Sequence, residues 1–297
     1  MYNSSASLFK LRPYARFAAR ILGYELVGEG NSWSHAKEYK LFKRRLPSGF
    51  SNSKSDPYFT PFSVPITSIT SRVCFSYSED GWHPFVQTLR EYEENPVLRY
   101  EESTLARVYG KYTPQNVQEV LLDQVRTPLP PFCSWPPSYE LVSWVWTLNK
   151  YSVQHRLKQL QQNTKHNGWI LFGPHAVEYG RKEFNRLIAV YESIKRTGYI
   201  PKVSSTDPIN GYILKDEDRI RFVLLQGNHR VSALKVLGYS NVDVLIRPGH
   251  PAVIDKSNLQ RWTEGSGGIY TSTLTEHLFD TLFTELGLQK ARRLDLM

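Results

Sequence analysis

Cysteine is scarce in this chain of 297 residues, which carries two, Cys74 and Cys133. They stand far apart and in no ligand spacing, so neither a disulfide framework nor a cysteine-built metal site is expected. Long apolar runs are missing as well. The longest, residues 139–148, is broken by Glu140 and Ser143 and is far too short to cross a bilayer. No internal repeat, long low-complexity tract or secretory leader is recognisable. Together these absences point to a soluble protein of a reducing cytoplasm. With 40% hydrophobic and 13% aromatic residues the chain can build a real core, which argues against wholesale disorder.

Acidic residues are rare at the start. Residues 1–54 hold ten Lys or Arg against Glu25, Glu29 and Glu38, which is +7 of the chain's net +9. The rest is close to neutral, so the basic excess is an N-terminal property and nucleic acid is not the expected partner. Within it, residues 8–24 set Leu8, Leu11, Ala15, Ala18 and Leu22 against Arg12, Arg16 and Arg20. Such a basic amphipathic pattern suits an anionic membrane surface. An ordinary surface helix and a targeting peptide are the other readings of it.

Residues 31–70 mix short basic runs with Ser, Pro and Gly and are expected to be irregular. Helices are predicted at 82–89, 105–109 and 114–125, the last with Thr113 as N-cap and Pro114 at its first position. The proline-rich stretch 127–137 excludes helix and central strand and marks a boundary. A connecting helix is expected over 139–162. From residue 168 strands and helices alternate: a short extended piece at 169–172, a strongly periodic helix over 182–197 and strands near 199–203, 212–214, 220–225 and 241–246. A terminal helix over 273–286, with Ser272 as N-cap, follows a short element at 257–262. The expected class is α+β: a largely helical N-terminal region (1–137), a connecting helix (138–167), an α/β module (168–250) and a short helical tail (251–297).

Chemistry concentrates in residues 225–238, LQGNHRVSALKVLG. An apolar strand ends at a glycine turn that opens a helix, where free backbone N–H groups and the positive dipole end favour an anion such as phosphate. Gly227, Asn228, His229 and Arg230 form that turn, and the His and Arg can add charge-assisted hydrogen bonds. The competing reading is a plain strand–turn–helix joint whose arginine meets a neighbouring carboxylate. The acidic cluster Asp216, Glu217 and Asp218 reads as a solvated hairpin tip.

Three stretches in order, 192–201 (ESIKRTGYIP), 222–233 (FVLLQGNHRVSA) and 242–246 (VDVLI), make residues 168–248 resemble the core of the ParB/sulfiredoxin superfamily. Gly227, Arg230 and Ala233 match its G-x-x-R-x-x-A turn. The resemblance implies a nucleotide-binding module in which that turn holds a phosphate chain. Sulfiredoxins carry a catalytic cysteine directly before the His, where this chain has Asn228, so their thiol chemistry is not expected. Partition proteins continue into DNA-reading and dimerisation parts, for which the roughly fifty residues after Ile246 leave little room. The small-molecule kinase branch is closest in layout, and the whole chain is similar to uncharacterised proteins associated with bacterial surface-polysaccharide synthesis. That branch implies ATP or another nucleoside triphosphate or diphosphate, Mg²⁺, and a carboxylate base ahead of the S-I helix. Gly173-Pro174-His175 precedes that helix here, but the Glu does not directly follow the His. Glu178 is the first candidate for the base and Glu183 the second. Lys182 joins Gly227, Asn228, His229 and Arg230 as a nucleotide contact, Arg230 also being the catalytic residue that stabilises charge on the transferred group, and no metal ligands are identified. The acceptor would be a hydroxyl of a small molecule or glycan. A non-catalytic nucleotide sensor and a ParB-like nuclease are the alternatives.

Overall fold

The computed structural model describes residues 61–121, 170–200, 208–246, 253–260 and 271–297, and the backbone of two strands before them. In chain order the strands are β1 (Tyr24–Glu29), β2 (Glu38–Lys43), β3 (Phe62–Pro65) and β4 (Ile69–Ser71), then β5 (Asn210–Asp216), β6 (Arg219–Gln226), β7 (Asn241–Ile246) and β8 (Val253–Asp255). The helices are α1 (Pro84–Glu94), α2 (Thr104–Lys111), α3 (Val117–Leu121), α4 (Val177–Thr197), α5 (Asn228–Val236), α6 (Ser272–Thr284) and α7 (Leu288–Arg293). The expected α+β class holds. Residues 8–23, the proline-rich stretch, the helix expected over 139–162, the strand expected at 201–203 and Cys133 lie outside the described residues.

β1 and β2 form an antiparallel pair, and the other six strands form a mixed sheet in the order β3-β7-β5-β6-β4, with β8 alongside β5. The β5–β6 hairpin is its centre, antiparallel from Asn210↔Gln226 to Asp216↔Arg219. Both faces of this hairpin are apolar, because each is covered. Ile213, Phe222 and Leu224 join the larger core, with Phe85, Phe184, Leu187 and Val231. Tyr212, Leu214, Val223 and Leu225 point the other way, onto Leu274, Leu278, Phe279 and Leu282 of α6. This is the strand period of two read twice, once for each layer.

Among the described residues of the N-terminal region, helices α1, α2 and α3 are accompanied by strands that the sequence reading did not expect. β3 pairs antiparallel with β7, and β4 runs parallel to β6, so residues 62–71 supply both ends of the sheet path. Strands of four and three residues in a Ser/Pro-rich stretch carry little local signal; their partners far along the chain define them. In the C-terminal tail, α6 packs over one face of the β5–β6 hairpin and of β8. Two cap assignments also change. The helix near residue 114 starts at Val117, because Asn116 Oδ1 accepts from the Glu119 N–H at 2.9 Å, and Thr113 lies outside it. Thr271, not Ser272, caps α6, its hydroxyl accepting from the Leu274 N–H at 3.2 Å.

Candidate functional site

The turn between β6 and α5 is built on Gly227, which has φ 109° and ψ 14°. That left-handed conformation suits glycine, and a Cβ there would come within 2.9 Å of Ile209 Cγ1. Gly227 is the N-cap of α5 and its carbonyl accepts the first helical bond, from Val231 N–H at 3.0 Å. Having no side chain, it caps none of the first-turn N–H groups. The N–H groups of Asn228 and His229 are therefore left for another partner at the positive end of the helix.

Asn228, the residue in place of the sulfiredoxin cysteine, turns its side chain inward. The Tyr77 hydroxyl lies 3.4 Å from its carbonyl and 3.5 Å from its Oδ1, and Ser232 Oγ is 3.4 Å from the same hydroxyl. Burial raises the Tyr77 phenol well above its ordinary range. His83 stacks on Tyr77 with ring centres 4.3 Å apart and caps α1, its Nδ1 accepting from the Phe85 N–H at 3.2 Å. Its Nε2 is buried with no hydrogen-bond partner, and burial pulls the imidazole down to about 3, with the nearby His229 adding to the fall.

His229 packs against Phe85, with ring centres 4.8 Å apart, and reaches α4 on its other side. Its Nε2 lies 3.1 Å from Glu183 Oε2, and both side chains are 8% exposed. The distance is that of a hydrogen bond, but the ring N–H is not aligned on the oxygen, and neither atom has a well-formed partner. The contact is a close electrostatic one. It is enough to hold the Glu183 carboxyl below the usual carboxylate range, against the opposing effect of burial; Arg186 and His175 add smaller pulls in the same direction.

The structure thus brings together Gly227, Asn228, His229 and Glu183. It does not bring Glu178 or Lys182 into that buried cluster: both are exposed on α4. Glu178 is five residues before Glu183, about 140° round the helix from it. Arg230 is half-buried, and its charge acts on the Tyr199 phenol. Sequence reasoning missed Tyr77, His83 and Arg186. Tyr77 falls between the stretches read from the sequence and His83 in an expected helix, but Arg186 was findable, lying one turn beyond Glu183.

Cys74 is fully buried, and burial pushes its thiol up to about 11. Glu217 and Asp218 form the exposed tip of the β5–β6 hairpin, while Asp216 pairs with Arg219. Among the described residues no group of three or more His, Cys, Asp or Glu is placed to hold a metal ion, and no helix is long and apolar enough to cross a membrane. Comparison with known protein families, curated proteins and solved structures finds no match to this chain.

Proposed function

We propose that the chain is a nucleotide-dependent kinase, transferring the terminal phosphoryl group of ATP or another nucleoside triphosphate to a hydroxyl of a small molecule or glycan. The observation that carries this reading is the pairing of a glycine-opened helix N-terminus with a buried carboxylate, Glu183 standing 3.1 Å from His229. The sequence resemblance to the ParB/sulfiredoxin superfamily supports the same module. In this reading the N–H groups of Asn228 and His229 cradle the phosphate chain, and Arg230 neutralises charge on it. Mg²⁺ carried in with the nucleotide would offset the negative charge of the phosphates. The acceptor oxygen attacks the terminal phosphorus, the bond from that phosphorus to the bridging oxygen breaks, and the diphosphate leaves. The hydroxyl proton passes to the base.

Glu183 takes that role ahead of Glu178, because it is the carboxylate beside the turn. A lowered pKa makes it a weak base, but it is ionised at neutral pH. In a loose phosphoryl-transfer transition state the base mainly orients the nucleophile, so weakness costs little. A cytoplasmic setting fits the reading, with residues 8–24 against an anionic membrane surface where a glycan acceptor would be assembled.

ATP with Mg²⁺ should raise the melting temperature of the full-length protein, and Arg230→Ala should abolish the shift. Glu183→Gln should keep the shift and lower turnover by about a hundredfold or more. No shift with ATP, ADP or CTP would remove the nucleotide reading altogether. A shift without turnover in the parent protein would leave a nucleotide sensor in its place.

A further inference from the structure

The outer edge of α4 carries a second feature beside the turn. His175 and Tyr179 are stacked, ring centres 4.1 Å apart and planes 21° from parallel. Tyr109 meets His175 edge-on at 4.4 Å and is itself buried, its hydroxyl donating to the Ile170 carbonyl at 2.9 Å. The stack is therefore braced from below. Tyr179 nevertheless remains 38% exposed, and Val177 next to it 48%. These are two of the six large hydrophobic side chains exposed among the described residues, and Tyr179 lies close enough to the buried Glu183 for the carboxylate to act on its phenol. Tyr179, Glu183 and Arg186 follow one another at i, i+4 and i+7, so they share one side of the helix, Glu183 at its buried margin and the other two exposed. Lys182 lies beside that strip. Arg186, exposed, acts on both the Tyr179 phenol and the Glu183 carboxyl, which agrees with their sharing one edge.

We propose that this strip is the acceptor subsite, and that it takes a hydroxylated ring bearing a negative charge, of the sugar-acid class. The proposal rests on the phosphotransferase reading. Three chemistries stand in a row about one helical turn apart. The Tyr179 face receives the ring, Glu183 accepts from a ring hydroxyl, and Arg186 with Lys182 meets the anionic group. Because Glu183 also touches His229 in the first turn of α5, a hydroxyl held on it faces the place proposed for the phosphate chain. A neutral sugar would offer the two cations no anionic group. A nucleobase could also stack on Tyr179, which makes it the competing occupant.

The test titrates glucuronate, glucose and adenosine separately into the full-length protein by ligand-observed NMR, with ADP as a control for the turn. Glucuronate should bind about tenfold tighter than glucose, the order of one well-placed charge contact. Tyr179→Ala should weaken glucuronate by about tenfold while Tyr179→Phe retains it, as expected for an aromatic contact. Arg186→Gln should erase the preference over glucose. ADP affinity should not change in either Tyr179 variant. Glucuronate binding no tighter than glucose, or indifferent to Tyr179→Ala, overturns the subsite. So does loss of adenosine or ADP affinity in Tyr179→Ala, which would give the strip to the nucleotide base. Glucuronate held at Tyr179 with no ADP binding at all supports the subsite and overturns the kinase reading instead.

Discussion

His83 shows how one side chain can tie acid sensitivity to this fold. It caps α1 through Nδ1, stacks on Tyr77, and is buried with Nε2 unpartnered. Its folded-state pKa of about 3 lies below the 6.5 ordinary for histidine. The unfolded chain therefore takes up a proton below pH 6.5 while the folded protein does not, and that uptake favours unfolding. His83's contribution is fully present above pH 6.5 and is lost as the pH falls toward 3. A full proton of difference costs ~1.4 kcal/mol per pH unit, so about 2 kcal/mol should go between pH 6.5 and 5. His83→Asn keeps a cap acceptor and removes the titration. Denaturant unfolding of parent and variant across that window should show the steeper loss in the parent. Equal slopes would mean that His83 is not the group responsible. Glu183 acts in the same direction, its lowered pKa also giving stability that is lost as the pH falls, although it is held charged in the fold where His83 is held neutral. That Glu183 and not Glu178 is buried was partly legible: Glu183 falls four residues before Leu187, on the apolar stripe, and Glu178 does not. What the stripe cannot say is that α5 would bring His229 to meet it.

At the scale of elements, legibility followed how local the cause was. β6, Gly227 and α5 were readable because an apolar strand, a left-handed glycine and a helical repeat each act within a few residues. β7 was found over Asn241–Ile246 for the same reason. β3 and β4 were not, since two very short strands exist only through pairing with β7 and β6, about 180 and 150 residues further along. Caps fell between these cases. Near α6 two neighbouring hydroxyls compete, Thr271 and Ser272, and composition does not separate them. Geometry does: Thr271 is extended, with φ −81° and ψ 161°, and its side chain accepts from Leu274 N–H, whereas Ser272 is already helical. Thr271→Ala should therefore cost about 1 kcal/mol in denaturant unfolding. Ser272→Ala should stay within about 0.5 kcal/mol, as an exposed surface change does. The reverse order would return the cap to Ser272.

For the whole molecule, the consequence is that residues 168–250, the stretch set apart by the sequence reading, do not hold the whole sheet or the helix that covers it. Residues 168–250 contain the β5–β6 hairpin, β7, α4 and α5, but they leave out both end strands and the cover of one sheet face. Without α6, the apolar side chains Tyr212, Leu214, Val223 and Leu225 lose Leu274, Leu278, Phe279 and Leu282. Without α1, His229 loses Phe85 and the Asn228–Tyr77 cluster loses its stacked His83. The C-terminal end is bound in as well. Lys290 is buried, its ammonium donating to the Val73 carbonyl and to the Tyr112 hydroxyl at 3.3 Å, over the rings of Phe75 and Tyr112. The backbone N–H of Trp82 donates to the Leu286 carbonyl at 2.8 Å, closing the same seam. Exposing a full sheet face forfeits roughly 1.5–3 kcal/mol for each large apolar side chain uncovered, and four such losses approach the whole stability of a typical domain. A fragment of residues 168–250 should therefore show no cooperative thermal transition and should bind a hydrophobic dye. A fragment of residues 61–297, which keeps every strand of the six-stranded sheet, should melt cooperatively. A sharp two-state melt from the shorter piece would show that the turn and its helix stand on the hairpin alone, and that the N-terminal strands and α6 only decorate it.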